Sequence, residues 1–409
     1  MPVRLTLRLA LPVLLILAAP GSRSVGAVKA DGLGFSAERL HRVHELIERT
    51  VAAGDFSGAV TLIARNGRIA RLEAQGLMNI ESKKPMTTDS IFRIASMTKP
   101  LVAVGILILV EQGKVHLADR VSQFIPEYKQ LKVATSSPSL TAPAEREITV
   151  RDLLTHTSGL VSGPISSREV PVKEKDTLAD YVPRLAVLPL EFQPGTRWAY
   201  SGLAGFDALL RIAEVASGMP ADRFLKSHVF DPLGMKDTFF YPLEGNPRLV
   251  TLYRKTVNGL EREQNPSRWN GVYFDGGGGL MSTAEDYFKF AQMLLNDGEL
   301  QGTRLLAPRT VEIMRSPVVP ETVPGRVAGE GFGLSVRVIT NPLARNTFLS
   351  AGSFGWSGGF GTHFWADPKE RVIGILMSQT DTTQVRPALE TAVMQAIVEP
   401  ARQLCFANC

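Results

Sequence analysis

Cysteine is almost missing from this chain: Cys405 and Cys409 are its two cysteines in 409 residues, both within the last five positions. A bond between them would close a tiny loop at a terminus, so a disulfide framework is excluded and a structural or free-thiol role is expected. Histidine is scarce too, with six residues. His41 and His44 stand three apart on an expected helix, but no third ligand is near and the H-E-x-x-H spacing is absent, so they are read as surface residues and no metal is expected. Charge of one sign is also lacking. The balance of 45 Lys+Arg against 40 Asp+Glu leaves +5, and the basic residues are scattered; Lys83-Lys84 is only a pair. Nucleic-acid binding is not supported by such a distribution.

Beyond residue 30 no apolar run is long enough to span a bilayer, and "LVAVGILILVEQG" from Leu101 is interrupted by Glu111 and reads as a buried core helix. The first thirty residues differ from the rest. Arg4 and Arg8 precede an apolar run from Leu9 to Ala19, and small residues follow up to Val28-Lys29-Ala30, the pattern of a secretory signal peptide. The run is shorter than the ~20 residues of a membrane span, so no lasting anchor is expected. The mature protein is expected to be secreted or periplasmic.

What is present is ordinary globular material, 44% hydrophobic and 21% charged. The segment "FSAERLHRVHELIERTVAAG" carries Leu40, Val43, Leu46 and Ile47 at helical spacing. Next comes strand, Asn66-Gly67 turn and strand, a strong hairpin pattern. From about 115 to 270 the chain turns mostly helical, with one helix ending at Gly218 as C-caps often do. After 270, "STAEDYFKFAQMLLNDG" suggests a capping box of Ser282 with Glu285. "EGFGLSVRVI", "GTHFWAD" and "RVIGILMSQ" read as strands, and a closing helix follows. The expected division is a signal peptide over 1–30, a discontinuous sheet domain over 31–115 and 271–409, and a mainly helical domain over 116–270.

Two serines compete as nucleophile. "GWSGG" from Gly355 fits the G-x-S-x-G elbow of α/β-hydrolases, with Ser357 at its centre. An elbow needs a helix after the serine and then an acid and a histidine; here glycines and a strand follow, and His363 is the one downstream histidine. Six residues along a strand, that histidine is not expected to fold back to the serine. "SMTK" offers Ser96 and Lys99 at i and i+3, one face of a helix whose first turn holds Pro100. A lysine so placed can take part in activating the serine.

Taken together, "IFRIASMTKP", "ITVRDLLTHTSGL", "PGTRWAYSGLAG" and "GWSGGFGTHFWADP" resemble the serine β-lactamase and penicillin-binding-protein superfamily, in its class C-like branch with the family VIII carboxylesterases. The resemblance implies an α+β fold in which an antiparallel sheet flanked by helices is built from both chain ends, with a mostly helical domain inserted. It implies Ser96 as nucleophile, Lys99 as its partner and Tyr200 in "AYSG" as general base. A phenol serves as base only beside a cation that favours its phenolate, and Lys99 would be that cation. It implies an oxyanion hole from the backbone N–H groups of Ser96 and Gly359, and a substrate wall from Trp356, Ser357 and Gly358.

Two departures bear on substrate. Gly202 stands where the family has the asparagine of Tyr-x-Asn, and Trp356 where it has the lysine of Lys-Thr-Gly. Both losses weaken recognition of β-lactams and D-Ala-D-Ala peptides, whereas an aromatic wall suits neutral groups. "DGGGG" from Asp275 is expected to border the cleft, and His156 to be structural. The expectation is a cofactor-free serine hydrolase that cleaves small-molecule carboxylic esters through an acyl-enzyme. The alternatives are a β-lactamase or D-stereospecific peptidase, an acyltransferase, and a non-catalytic cell-wall sensor.

Overall fold

A computed structural model of the protein describes residues 30–135, 140–161, 163–240, 245–263 and 270–400. The expected signal peptide up to residue 29 and both cysteines lie outside the described residues.

Helix α1 (Ala37–Ala52) starts where the Ser36 hydroxyl accepts a hydrogen bond from the Arg39 amide, and buries Leu40, Val43 and Ile47. The hairpin of β1 (Gly58–Arg65) and β2 (Arg68–Asn79) follows. Asn66 and Gly67 between them have φ of 53° and 74°, the paired left-handed geometry that suits a two-residue turn to the twist of its strands. With β3 (Lys84–Pro85), β4 (Glu330–Phe332), β5 (Arg337–Ile339), β6 (Phe354–Ser357), β7 (His363–Asp367) and β8 (Val372–Ser378), they form an eight-stranded sheet in the order β4-β5-β6-β7-β8-β1-β2-β3. Its pairings are antiparallel. Strands from both ends of the chain meet at β8 and β1, as in Leu62↔Ile375.

The pleat divides the core. Val60, Leu62 and Ala64 of β1, with Ile373, Ile375 and Met377 of β8, face the larger cluster, which contains helix α2 (Thr98–Glu111). Ala59, Ile63, Val372 and Leu376 point the other way, into a smaller cluster closed by α1 and the last helix, α5 (Arg386–Gln395). Every residue of α2 from Thr98 to Leu109 is buried. A helix apolar on all sides belongs inside, which makes it a rigid base for whatever stands at its start.

Helix α3 (Ala204–Ser217) packs on α2 and ends at Gly218, whose φ of 71° is the left-handed cap its position suggested. Helix α4 (Ala284–Leu295) departs from expectation by one residue. Its cap is Thr283, whose hydroxyl accepts from the Asp286 amide, while Ser282 still belongs to the strand Leu280–Ser282. The segment "EGFGLSVRVI" is also two strands, β4 and β5, with Ser335 at φ 74° in the turn between them.

Candidate active site

The start of α2 is prepared by an uncommon backbone. Ala95 has φ 44°, a left-handed conformation that costs a non-glycine residue about 1–3 kcal/mol and persists only where surroundings enforce it. They do so here. The Ile94 amide donates to the Leu280 carbonyl at 3.0 Å, the Ile94 carbonyl accepts from the Thr362 hydroxyl at 3.0 Å, and the Met97 carbonyl accepts from the Tyr287 hydroxyl at 2.9 Å. A short 3₁₀ turn, Ala95–Met97, then leads into the helix with Ser96 at its mouth.

Lys99 is fully buried, one turn further along. Its ammonium reaches the Ser96 hydroxyl at 3.2 Å and the carbonyls of Gly202 and Gly277 at 2.6 Å each. Three hydrogens meet three acceptors, so the cation is fully satisfied in a place that would otherwise expel it. The two carbonyls come from loops that pack with almost no clearance. A Cβ on Gly277 would lie 2.6 Å from the Gly202 oxygen, and one on Gly276 would lie 2.3 Å from the Phe206 oxygen. The glycine loop thus supplies one of the lysine's acceptors from behind the cleft, whose lining it does not join, while Gly202 offers its backbone where the family offers an amide side chain. Sequence reasoning missed both acceptors, since a carbonyl leaves no mark in residue type.

Tyr200, half exposed, donates from its hydroxyl to Ser96 Oγ at 2.6 Å, and its ring lies 5.1 Å from the Lys99 nitrogen. Under it an aromatic bed forms. His156 sits 4.8 Å from the Tyr200 ring, and Trp356 lies 5.5 Å from Tyr200 and 5.3 Å from Phe332. Arg326 covers Trp198 at 4.3 Å and is held by Glu330 at 2.9 Å. His156 Nδ1 accepts from the Ser201 amide at 3.2 Å. Burial first, then the charges of Lys99 and Arg326, push its imidazole well below the usual histidine range. His156 is thus a neutral support for the tyrosine, and Arg326 and Phe332 are neighbours that no motif announced.

A cleft of about 440 Å³ brings Ser96 and Tyr200 together with Trp356, Ser357, Gly358 and Gly359, and with Arg337, Asp381, Thr383 and Arg386. Among the described residues, no acceptor is bonded to the backbone N–H of Ser96 or of Gly359. A Cβ on Gly359 would meet open space, whereas one on Gly358 would strike Thr362 Oγ1 at 2.2 Å and the Ile94 oxygen at 2.3 Å. Gly358 is therefore what lets β6 press against the nucleophile turn.

One expectation is overturned. His363 does reach Ser357, because β6 turns directly into antiparallel β7 and sets Ser357 opposite His363 across the pair. Ser357 Oγ and His363 Nδ1 are 2.8 Å apart, and His363 Nε2 meets Glu390 Oε1 of α5 at 3.0 Å. The same carboxylate oxygen accepts from Arg337 at 2.8 Å. Burial works to raise the Glu390 carboxyl, but the hydrogen bond from His363 and the charge of Arg337 outweigh it and hold the group at about 2. His363, fully buried, is pushed below the usual histidine range by that burial, with Glu390 opposing and Arg337 and Arg386 adding to it.

The family model described as Beta-lactamase matches residues 43–398. The chain is 34% identical over 362 residues to an uncharacterized protein of Mycobacterium tuberculosis, covering 81% of this chain and 88% of the other. It is 30% identical over 405 residues to Esterase EstB of Burkholderia gladioli, covering 91% and 99%. Among solved structures, EstCE1, described as a hydrolase with promiscuous acyltransferase activity, superposes with a TM-score of 0.77 at 26% identity, covering 88% of this chain and 99% of that one. By family match, fold and the esterases beside it, this chain belongs to the beta-lactamase family and is a serine hydrolase.

Proposed function

We propose that the protein is an exported carboxylesterase that works through an acyl-enzyme on Ser96. The observation that carries the reading is the meeting of Lys99 and Tyr200 on one serine oxygen, at 3.2 and 2.6 Å. The Tyr200 phenol first gives up its own proton to solvent, beside the Lys99 ammonium that favours the phenolate; Ser96 Oγ then attacks the ester carbonyl as its proton passes to the Tyr200 oxygen. The N–H groups of Ser96 and Gly359 receive the oxyanion; collapse expels the alcohol with the proton, and water then repeats the sequence to free the acid. The apolar wall of Trp356, backed by buried Phe332, favours neutral groups, and the motif lysine that would draw a carboxylate is absent. Loss of hydrolysis of p-nitrophenyl butyrate in Ser96→Ala supports the reading, and retained activity defeats it. Efficient nitrocefin turnover with negligible ester cleavage would favour a β-lactamase instead.

A second reading has one observation behind it: Ser357, His363 and Glu390 form a chain of hydrogen bonds like that of a catalytic triad. Attack by Ser357 would require His363 to become an imidazolium. Burial, with the nearby guanidinium groups of Arg337 and Arg386 adding to it, opposes that charge more than the Glu390 carboxylate favours it, so Ser96 is preferred.

A further inference from the structure

The chain of hydrogen bonds behind Ser357 fixes the direction in which that hydroxyl can act. Glu390 is an acceptor only, and its Oε1 already receives Arg337 at 2.8 Å, so His363 Nε2, 3.0 Å away, must carry a hydrogen. The opposite tautomer would set the nitrogen lone pair against the carboxylate. A buried neutral imidazole with its hydrogen on Nε2 has a bare Nδ1, and that atom lies 2.8 Å from Ser357 Oγ. The serine hydrogen is drawn inward, and only oxygen lone pairs remain to face the cleft that Ser357 lines with Ser96. The other charges at this wall are already engaged. Arg386 donates to the Gly358 carbonyl at 3.2 Å and to Thr382 Oγ1 at 3.1 Å, with Asp381 at 3.8 Å.

We propose that Ser357 is a specificity-determining residue that presents a fixed hydrogen-bond acceptor to the substrate, selecting esters that carry a hydroxyl or amide N–H donor near the scissile bond. His363 and Glu390 are positioning residues: they touch no substrate and set the polarity of the serine. A carboxylate on the substrate would meet an oxygen lone pair there and be disfavoured. The proposal rests on Ser96 being the nucleophile of an esterase, and deepens that reading.

The test compares ethyl butanoate with 2-hydroxyethyl butanoate, ethyl 3-hydroxybutanoate and monoethyl succinate, in the wild type and in Ser357→Ala. One neutral hydrogen bond gives a preference of about five-fold in kcat/KM for one of the hydroxylated esters over ethyl butanoate. In Ser357→Ala that ratio falls to near one, whatever the variant's absolute rate. His363→Leu frees the serine hydrogen, so the hydroxyl preference shrinks and relative activity on monoethyl succinate rises. A hydroxyl preference that survives Ser357→Ala, or a wild type with no hydroxyl preference or one favouring the succinate, overturns the proposal while the esterase reading stands. A wild type that cleaves none of the four sinks the esterase reading instead. Nitrogen-15 NMR of the histidine-labelled protein then still decides the polarity: a bare Nδ1 and protonated Nε2 on His363 support it, and a proton on Nδ1 refutes it.

Discussion

Tyr200 and Ser96 face each other oxygen to oxygen at 2.6 Å, and the Lys99 ammonium stands 3.2 Å from the same serine oxygen. Removing the phenol oxygen leaves the aromatic bed intact and takes away only the proton acceptor. Tyr200→Phe should therefore lower kcat on p-nitrophenyl butyrate by about 10²–10⁴ with little change in KM. Steady-state kinetics check this, and a variant within a factor of three of wild type refutes the tyrosine's role.

Lysine and arginine are not exchangeable at residue 99. Three acceptors converge on one ammonium, two of them at 2.6 Å, and a planar guanidinium neither fits the buried space nor presents its hydrogens to all three. Lys99→Arg should be as inactive as Lys99→Ala and less stable than wild type by thermal melting. Activity rescued by arginine would show that charge alone suffices.

The two glycines after Ser357 should separate by stability. A methyl on Gly358 strikes backbone and side chain at 2.3 and 2.2 Å, while one on Gly359 meets nothing within 4 Å. Gly358→Ala is expected to lower Tm by several degrees and to disturb the Ser96 turn, whereas Gly359→Ala should melt with wild type. Equal Tm values for the two variants would contradict the packing of β6 on the nucleophile turn.

Two buried histidines make the fold acid-sensitive. His156 and His363 are both held below their ordinary range by burial, so the unfolded chain takes up protons first as pH falls. Stability from these groups is present above the unfolded value near 6.5 and declines below it, by up to ~1.4 kcal/mol per pH unit for each fully buried group. Glu390, held at about 2, adds a second loss from its ordinary 4.5 downward. Melting temperature followed from pH 8 to 5 should fall below 6.5, with a shallower slope in His156→Phe. A flat profile, or one rising toward acid, contradicts the neutral assignment.

The chemistry of this site was more legible in the sequence than its wiring. Ser96 and Lys99 are named by residue type at a helical spacing, and Tyr200 by the resemblance of "AYSG" to the family's second motif, and the three do meet. The carbonyls of Gly202 and Gly277 were not legible, because backbone acceptors are set by loop packing. The reach of His363 to Ser357 was misjudged for a different reason: six residues that look like one extended strand hold a tight turn, with Gly361 at φ 104° inside it, so the two residues pair across strands. Glu390 lies 27 residues beyond His363, on a helix that only the packed fold brings over the sheet. The cap at Thr283 in place of Ser282 was a one-residue error in where the strand before α4 ends.

Ser96 and Ser357 line one cleft, and each has a hydrogen-bonded partner able to suggest a nucleophile. Mass spectrometry of the protein after treatment with a fluorescent phosphonate distinguishes them. The account predicts a single adduct on Ser96, abolished in Ser96→Ala and retained in Ser357→Ala; an adduct on Ser357 would contradict it.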